Sequence, residues 1–427
     1  MFLFHNNETS NFSLSFSNFR ESGVVKYTDG YNRQNVRFNL YQNITEGLDL
    51  SASGSYSQST NDQVTQGPGS PFWGAVFMQP NYDILADNEE DGSRFNVNAD
   101  PYSVEDNPLY SLDQEERTTD RNRYLGNMQL KYRPIQPVLL EASYSIDRTN
   151  SVYERFIPKG ILSSTGFSTS SNSGQLRRST FENVAQNMSV TAGYDERFGD
   201  VNVRVKASYL YEDSDFQSFG ATGNDFAIGG VKSWDAIQSS GTKSLDNRTT
   251  QVRSENIFGI VALDYKDRYI FDLLVRRDGS SLFGEDERYN NYFRASGAYR
   301  ITEDVDIPGF NELKVRASYG TAGLRPPFSA QYLTYNLSGG NPSKNTLGNP
   351  ESKPALSKEL EVGLNAEFLN RFSFEGSYST TTVEDQSLNV PLLLSQVDST
   401  PDGKMQVLSK PTLLKLLLTR RLFSSVT

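Results

Sequence analysis

The feature that most constrains the fold is an alternation of apolar and polar residues at period two, which recurs along most of the chain. In one example, Val36, Phe38 and Leu40 alternate with Arg37 and Asn39. Successive side chains of a β-strand point to opposite faces, so each such segment predicts a strand with one apolar and one polar face. About thirteen segments have this pattern, and almost none has the 3.6-residue period of a helix. The sequence therefore predicts an all-β chain. The clearest other segments span residues 48–56, 124–132, 140–146, 188–194, 201–211, 269–275, 293–301, 313–319, 360–368 and 372–378.

The lengths of the connections narrow the fold further. Short connections, such as residues 198–200 and 266–268, alternate with long ones. Short turns at one end and long loops at the other are the plan of an outer-membrane barrel. A soluble sandwich rarely carries several long loops without secondary structure. We therefore expect an antiparallel transmembrane β-barrel with short periplasmic turns and long extracellular loops. The long loops are expected at residues 61–120, 151–181, 214–251 and 324–357.

The two faces of the predicted strands suit lipid on one side and water on the other. Each segment runs about ten to thirteen residues, enough to cross a bilayer at barrel tilt. Tyrosine and phenylalanine cluster at segment ends, where aromatic rings favour the membrane interface. We expect Tyr269, Phe271 and Leu273 to face lipid, and Asp272 and Arg276 to face a water-filled lumen. The alternative is a large soluble β-sandwich or solenoid with surface tyrosines.

Composition excludes several other classes of protein. The chain has no cysteine and a single histidine, His5, which removes thiolate sites, histidine-built metal clusters and a Ser-His-Asp triad from the body of the chain. The formal net charge of -11 argues against a nucleic-acid partner. No apolar run is long enough for a transmembrane helix, and no residue pattern supports catalysis. We expect a protein that is not an enzyme and that carries no cofactor.

Three motifs, in the same order and spacing, resemble those of SusC/RagA-type TonB-linked outer-membrane transporters. The first is VRRDGSSLFG at residues 275–284, the second is LKVRASYG at 313–320, and the third begins with NPESKP at 349–354. The resemblance implies TonB-energised uptake of glycan oligomers or peptides across the outer membrane of a Bacteroidetes-like Gram-negative cell. It also implies a SusD-like lipoprotein partner and contact with the TonB complex through a plug and a TonB box.

The chain departs from the family pattern at both ends. Family members are about twice this long, and neither a plug nor a TonB box is visible here, while residues 1–5 are too short for a signal peptide. We expect residues 1–403 to be a partial barrel, about 13 strands of a roughly 22-stranded one, that does not transport by itself. Residues 404–427 are expected to be an aberrant tail from a shifted reading frame or a degraded gene. The alternative for the tail is a short basic amphipathic helix.

Aromatic residues in two long loops are the candidates for substrate contact, because aromatic faces stack on sugar rings. The candidates are Phe72, Trp73, Tyr82 and Trp234. They share these loops with Phe77, Tyr102, Tyr110, Phe216, Phe219 and Phe226. The alternative role for all of them is packing within the loops or contact with the lipoprotein.

An acidic segment at residues 87–92 resembles a calcium loop only superficially. Its twelfth position is Asn98 rather than a bidentate glutamate, so we expect a solvated acidic loop and no metal site. The alternative for the whole chain is a non-transporting surface β-protein, such as an adhesin or a structural barrel.

Overall fold

The structure, a computed structural model, is built mainly of β-strands. It describes all residues except 23–24, 65–66, 68–69, 89–91, 98, 101, 103–104, 166–167, 339, 387–415 and 426–427. The strands are β1 (Phe2–Asn6), β2 (Ser10–Glu21), β3 (Tyr31–Thr45), β4 (Leu48–Asp62), β5 (Glu116–Ile135), β6 (Val138–Ile157), β7 (Leu162–Thr165), β8 (Ser168–Ser171), β9 (Gln175–Phe198), β10 (Val201–Asn224), β11 (Lys243–Tyr265), β12 (Tyr269–Ser280), β13 (Tyr289–Arg300), β14 (Phe310–Leu324), β15 (Thr334–Ser338), β16 (Asn341–Thr346), β17 (Ala355–Phe368), β18 (Phe372–Glu384) and β19 (Leu416–Ser425).

Helical structure is confined to short pieces in the connections. The described residues include two α-helices of seven residues, α1 (Pro71–Phe77) and α2 (Pro108–Gln114). Single 3₁₀ turns lie at Trp234–Ala236, Ile301–Glu303 and Phe328–Gln331. Among the described residues, no helix has the length and apolar character needed to cross a membrane.

Fifteen strands form one sheet, and within it each strand pairs with its nearest neighbours in the chain. The order is β1-β2-β3-β4-β5-β6-β9-β10-β11-β12-β13-β14-β17-β18-β19. Neighbouring strands pair in antiparallel orientation. For example, Tyr269 of β12 lies opposite Tyr265 of β11 and Tyr299 of β13. The remaining strands form two separate hairpins, β7–β8 and β15–β16. The prediction of an all-β chain with an antiparallel sheet is confirmed.

The sheet has two strands in places where we expected none. With β1 and β19 included, its fifteen strands exceed the predicted thirteen or so. β1 has only five residues, too few for an alternating pattern to stand out. β19 pairs with β18, although its sequence LLLTRRLFSS lacks a clear period of two. Strand pairing depends on tertiary contacts. A segment whose own sequence pattern is weak can therefore pair with the edge strand of a sheet.

The strands are also longer than predicted, at the expense of the predicted loops. β9 and β10 each have 24 residues, and β11 has 23. The expected loop at 214–251 therefore shrinks to residues 225–242. The strand ends contain polar runs, such as Glu212, Asp213, Ser214 and Asp215, so the alternation that identifies a strand fades there. Backbone pairing does not need that alternation and continues beyond it.

The predicted alternation of short and long connections is present. Two of the tight turns use residues other than glycine with positive φ, Lys266 and Asp267 in one and Leu369 and Asn370 in the other. Two consecutive left-handed residues make the turn whose twist matches that of paired strands. Aspartate and asparagine tolerate this region better than most side chains, which accounts for their presence at the second position.

The chain divides into two compact units. The first comprises residues 1–129, 144–186 and 214–251, and the second comprises residues 130–143, 187–213 and 252–427. The first unit contains two small hydrophobic clusters made largely by its loops. In the second unit, rows of ion pairs lie across the strands and aromatic rings meet near the short turns. Tyr269 and Tyr299, for example, stack with ring centroids 4.9 Å apart.

In the second unit, Tyr269, Phe271 and Leu273 of β12 lie on one face of the sheet and Asp272 and Arg276 on the other, as predicted. Tyr269 and Phe271 are 47% and 45% exposed and Leu273 is half-buried, and they lie on the sheet surface rather than in a core between two sheets. Asp272, on the other face, accepts a hydrogen bond from Arg294 of β13 at 2.6 Å. An exposed apolar face opposite a charged face is the arrangement of a strand between lipid and water.

Candidate ligand-binding site

Helix α1 holds an exposed aromatic surface in the connection between β4 and β5. The helix begins after Ser70, whose Oγ accepts a hydrogen bond from the backbone N–H of Trp73 at 3.1 Å. Phe72 and Trp73 are 57% and 40% exposed, and the Trp73 ring lies 4.9 Å from that of Phe77. These three rings, Phe72, Trp73 and Phe77, form the α1 aromatic surface. Its exposed rings are free to stack on a ligand.

Tyr82 follows α1 and is half-buried in the same connection. Burial raises the pKa of its hydroxyl, and the nearby Asp100 carboxylate adds to the rise. Asp100 is itself buried, and its two carboxylate oxygens accept hydrogen bonds from the backbone N–H groups of Gln79 and Tyr102. Tyr82 therefore stays neutral at physiological pH and can offer a hydroxyl donor near Asp100.

Trp234 lies in a different loop, where the structure gives it a packing role. It sits in a 3₁₀ turn and packs, half-buried, against a cluster made by Phe156, Leu176, Phe226 and Ile237. Phe226, in the same cluster, is only 1% exposed. Of the four candidates, Phe72 and Trp73 therefore share one surface, while Trp234 belongs to a hydrophobic cluster elsewhere in the first unit.

A second cluster anchors the connection between β4 and β5 to that between β6 and β9. Phe95, Val97 and Tyr110 are buried together, and Leu162 packs against them. The Tyr110 hydroxyl accepts a hydrogen bond from the backbone N–H of Leu162 at 2.8 Å. Tyr110 thus has the packing role that was the alternative interpretation of the loop aromatics.

An ion-pair bridge fastens the loop between β10 and β11 to the strands. Lys232 Nζ lies 2.8 Å from a carboxylate oxygen of Glu116 in β5 and 2.7 Å from one of Glu154 in β6. Burial alone would lower the pKa of Lys232, but the two carboxylates outweigh it and the pKa is raised. The ammonium group also lies 5.8 Å from the ring centre of Phe156. One side chain therefore holds this loop against two strands.

A groove of about 360 Å³, lined mostly by polar residues, crosses β5, β6 and β9 and is also lined by Gln63, just after β4. Arg121 and Arg177 line it, together with the rings of Tyr153 and Phe181. The hydroxyl-bearing Ser151 and Ser179 are buried in it, at 8% and 6% exposure. Sequence analysis did not identify this groove, because its members come from three strands and only the pairing of those strands brings them together. The one available signal was the run of polar residues at odd-numbered positions in these strands.

The structure describes only part of the acidic segment at residues 87–92. Residues 89–91 and Asn98 lie outside the described residues. Asn88 is buried, and its side-chain amide donates a hydrogen bond to Ser93 Oγ at 3.0 Å. Within the described part of the chain, no group of three acidic or histidine side chains is arranged to hold a metal ion.

Sequence comparison places the chain in a known family. A family model described as "TonB dependent receptor-like, beta-barrel" matches residues 76–407. The chain is 26% identical over 410 residues to TonB-dependent receptor P26 of Formosa agariphila, and 25% identical over 409 residues to TonB-dependent receptor P3 of the same organism. Each alignment includes 90% of this chain and 39% of the relative. The chain therefore spans well under half the length of these relatives.

Solved structures give the same fold. The RagAB peptide importer in its "open-open" state matches 92% of this chain and 44% of its own chain, with a TM-score of 0.78 and 18% identity. The ferric-catecholate import receptor Fiu from E. coli K12, in its closed form, matches 93% of this chain and 56% of its own, with a TM-score of 0.52 and 12% identity. The family model, the relatives and these folds agree with the SusC/RagA-type motifs. This chain belongs to the TonB-dependent receptor-like β-barrel family, whose members are outer-membrane transport proteins rather than enzymes.

Proposed function

We propose that this chain is part of the barrel wall and loops of a SusC/RagA-type importer that takes up oligomers across the outer membrane. The family match over residues 76–407 carries the proposal. The α1 aromatic surface supports it, because exposed rings on a loop beside a polar face suit capture of a ligand before passage. The substrate class is a glycan oligomer or a peptide. Phe72, Trp73 and Tyr82 are the proposed contacts, and Trp234 acts by holding its loop in place.

The proposed partners follow from the SusC/RagA resemblance. A SusD-like lipoprotein covers the loops, and the TonB complex supplies energy through a plug and a TonB box. Affinity purification of the tagged receptor from native outer membranes tests the first partner. We expect a lipoprotein of this type to co-purify in stoichiometric amount. Purification of the receptor without any such lipoprotein would contradict this part of the proposal.

The uptake test uses the native organism with the receptor gene deleted. Growth is measured on a panel of glycan oligomers and peptides, each as the sole carbon source. We expect the deletion to abolish growth on one class of oligomer, and TonB depletion to have the same effect. Normal growth on the whole panel, together with loss of surface adhesion, would instead support an adhesin or structural barrel.

The contribution of the α1 aromatic surface is tested in the complemented strain. Phe72→Ala with Trp73→Ala should reduce uptake at low substrate concentration, because two stacking faces are lost. Val76→Ala on the same helix is the matched control, since Val76 is 77% exposed and is not aromatic. Equal uptake by the double variant and the control would exclude α1 from substrate contact.

We also propose that the barrel portion ends near residue 403 and that residues 404–427 are not required for assembly. The family match, which ends at residue 407, supports this boundary. The predicted boundary itself lies outside the described residues. Replacing residues 404–427 by an unrelated polar sequence should leave the amount of folded receptor in the outer membrane unchanged. Loss of folded receptor would give the pairing of β19 with β18 an essential role.

A further inference from the structure

We propose that the groove across β5, β6 and β9 binds an acidic oligosaccharide through the carboxylate of one of its sugars. The inference rests on the proposed import function and specifies its substrate class. The groove lies entirely within the first unit of the chain. Arg121, Tyr153 and Arg177 are each an odd number of positions from residues of the apolar face, such as Tyr124, Tyr144 and Met188, so they lie on the polar face.

The groove carries positive charge that no acidic side chain of the described residues neutralises. In the part of the chain that the structure describes, neither Arg121 nor Arg177 has a carboxylate within 4.0 Å. Six other arginines of β5, β6 and β9 have acidic partners, as Arg123 has Asp147, Arg148 has Glu182 and Arg178 has Glu154. Among the described residues of these strands, only Arg133 also has none. Arg121 and Arg177 thus place two uncompensated guanidinium groups in one groove of a chain whose net charge is -11. A guanidinium fork matches the geometry of a carboxylate and binds it through two hydrogen bonds.

The other lining groups suit a hydroxylated ligand. Thr119 and Thr149 add hydroxyl groups to those of Ser151 and Ser179, and Gln63 adds a primary amide. Hydroxyls both donate and accept hydrogen bonds, as sugar hydroxyls do. Phe181, 41% exposed, offers an apolar face for a sugar ring. The volume of about 360 Å³ lies at the lower end of the roughly 300–1,000 Å³ typical of ligand sites, which suits a segment of an oligomer.

Two features favour a sugar acid over an acidic peptide. Extended peptides are commonly captured by main-chain pairing with an exposed strand edge. β5, β6 and β9 are successive neighbours in the sheet, and β4 and β10 pair with the two outer ones, so every strand edge in the groove is already paired. The second feature is the guanidinium of Arg177, which lies 5.9 Å from the ring centre of Tyr153. Stacking on that ring restrains the cation and lowers the entropy cost of binding a carboxylate.

The test measures binding directly and does not depend on transport. The full receptor is purified in detergent, and its affinities are measured by isothermal titration calorimetry. The probes are trimers of galacturonate, mannuronate and glucuronate, with neutral trigalactose and triglutamate as comparisons. We expect one or more uronate trimers to bind more tightly than trigalactose, with an affinity that falls as salt is raised. Arg121→Gln with Arg177→Gln should weaken that binding by about tenfold or more.

Arg178→Gln is the matched control. Arg178 is the next residue in β9, is exposed, and lies on the opposite face. Retention of uronate affinity in this variant, with loss in the double variant, would support the groove. Three results would overturn the proposal: no uronate trimer binds, triglutamate binds in preference to all of them, or the double variant keeps wild-type affinity. The uptake assay tests the proposed import function, and the calorimetry tests the groove, so the two proposals can fail separately. If the receptor imports oligomers but no uronate trimer binds to it, the import function stands and the groove proposal is wrong.

Discussion

Leu273 and Asp272 are neighbours in β12, yet their side chains lie on opposite faces of the sheet and should respond differently to substitution. Leu273→Arg places a charge on the apolar face and should destabilise the folded barrel by about 2–4 kcal/mol. Asp272→Asn only removes a partly exposed ion pair with Arg294 and should cost about 1 kcal/mol or less. Urea titration of the full receptor in lipid vesicles measures both values. Equal destabilisation by the two variants would contradict the assignment of the faces.

Gly323 of β14 illustrates a second constraint at the level of single residues. A methyl group at this position would overlap the hydroxyl of Tyr292, whose side chain is only 6% exposed and cannot move aside easily. Gly323→Ala should therefore destabilise the barrel by about 1–3 kcal/mol. Gly297→Ala in β13 is the control, since its nearest neighbour would be the carbonyl oxygen of Ile270 at 3.8 Å, an ordinary contact. The same urea titration should show no loss of stability for Gly297→Ala.

At the scale of elements, the loop between β10 and β11 depends on the bridge made by Lys232. Lys232→Met removes the cation between Glu116 and Glu154 and leaves two carboxylates close together, so the loop should detach more often. Limited proteolysis within residues 225–242 should become faster than in the parent protein. Lys243→Met, at the exposed start of β11, is the control and should leave the rate unchanged.

The direction in which pH should change the rate of proteolysis in the same loop follows from the pKa of Lys232. The pKa of Lys232 is raised above its ordinary value of 10.5 in the folded protein. A raised lysine pKa means that the bridge contributes fully below pH 10.5 and is lost as the pH rises through the folded-state value. Proteolysis at residues 225–242 should therefore be constant across neutral pH and increase only above that value. A rise in cleavage between about pH 7 and 9, well below the lysine range, would show that another group controls the loop.

At the scale of the whole molecule, we expect this sheet by itself to be insufficient for transport. Among the described residues, β1 and β19 each have a single neighbour in the sheet order, and the chain spans 39% of the length of its relatives. Unpaired backbone groups are costly in lipid, where water cannot satisfy them. The 427-residue chain, expressed alone in a strain that lacks the full receptor, should not restore import, whereas the full receptor should. TonB-dependent uptake by the chain alone would refute this.

The sequence by itself determined the class of fold, because a strand with one face to lipid and one to water must alternate at period two. The alternation of short and long connections followed from the same pattern, as did the opposite faces of Leu273 and Asp272. Strand ends beyond the apolar band could not be predicted, since the extensions of β9, β10 and β11 have scattered apolar residues but no regular alternation of apolar and polar residues. Backbone pairing continues there and leaves little signal in the side chains.

Only the tertiary structure decided which loop aromatics are exposed and which pack. Phe72 and Phe226 are the same residue type in two long loops, yet Phe72 is exposed on α1 and Phe226 is buried against Phe156 and Leu176. The groove with Arg121 and Arg177 depends on strand register, because its members lie far apart in the chain and meet only through the pairing of β5, β6 and β9. Contacts between distant strands are set by register and packing, which no local pattern records.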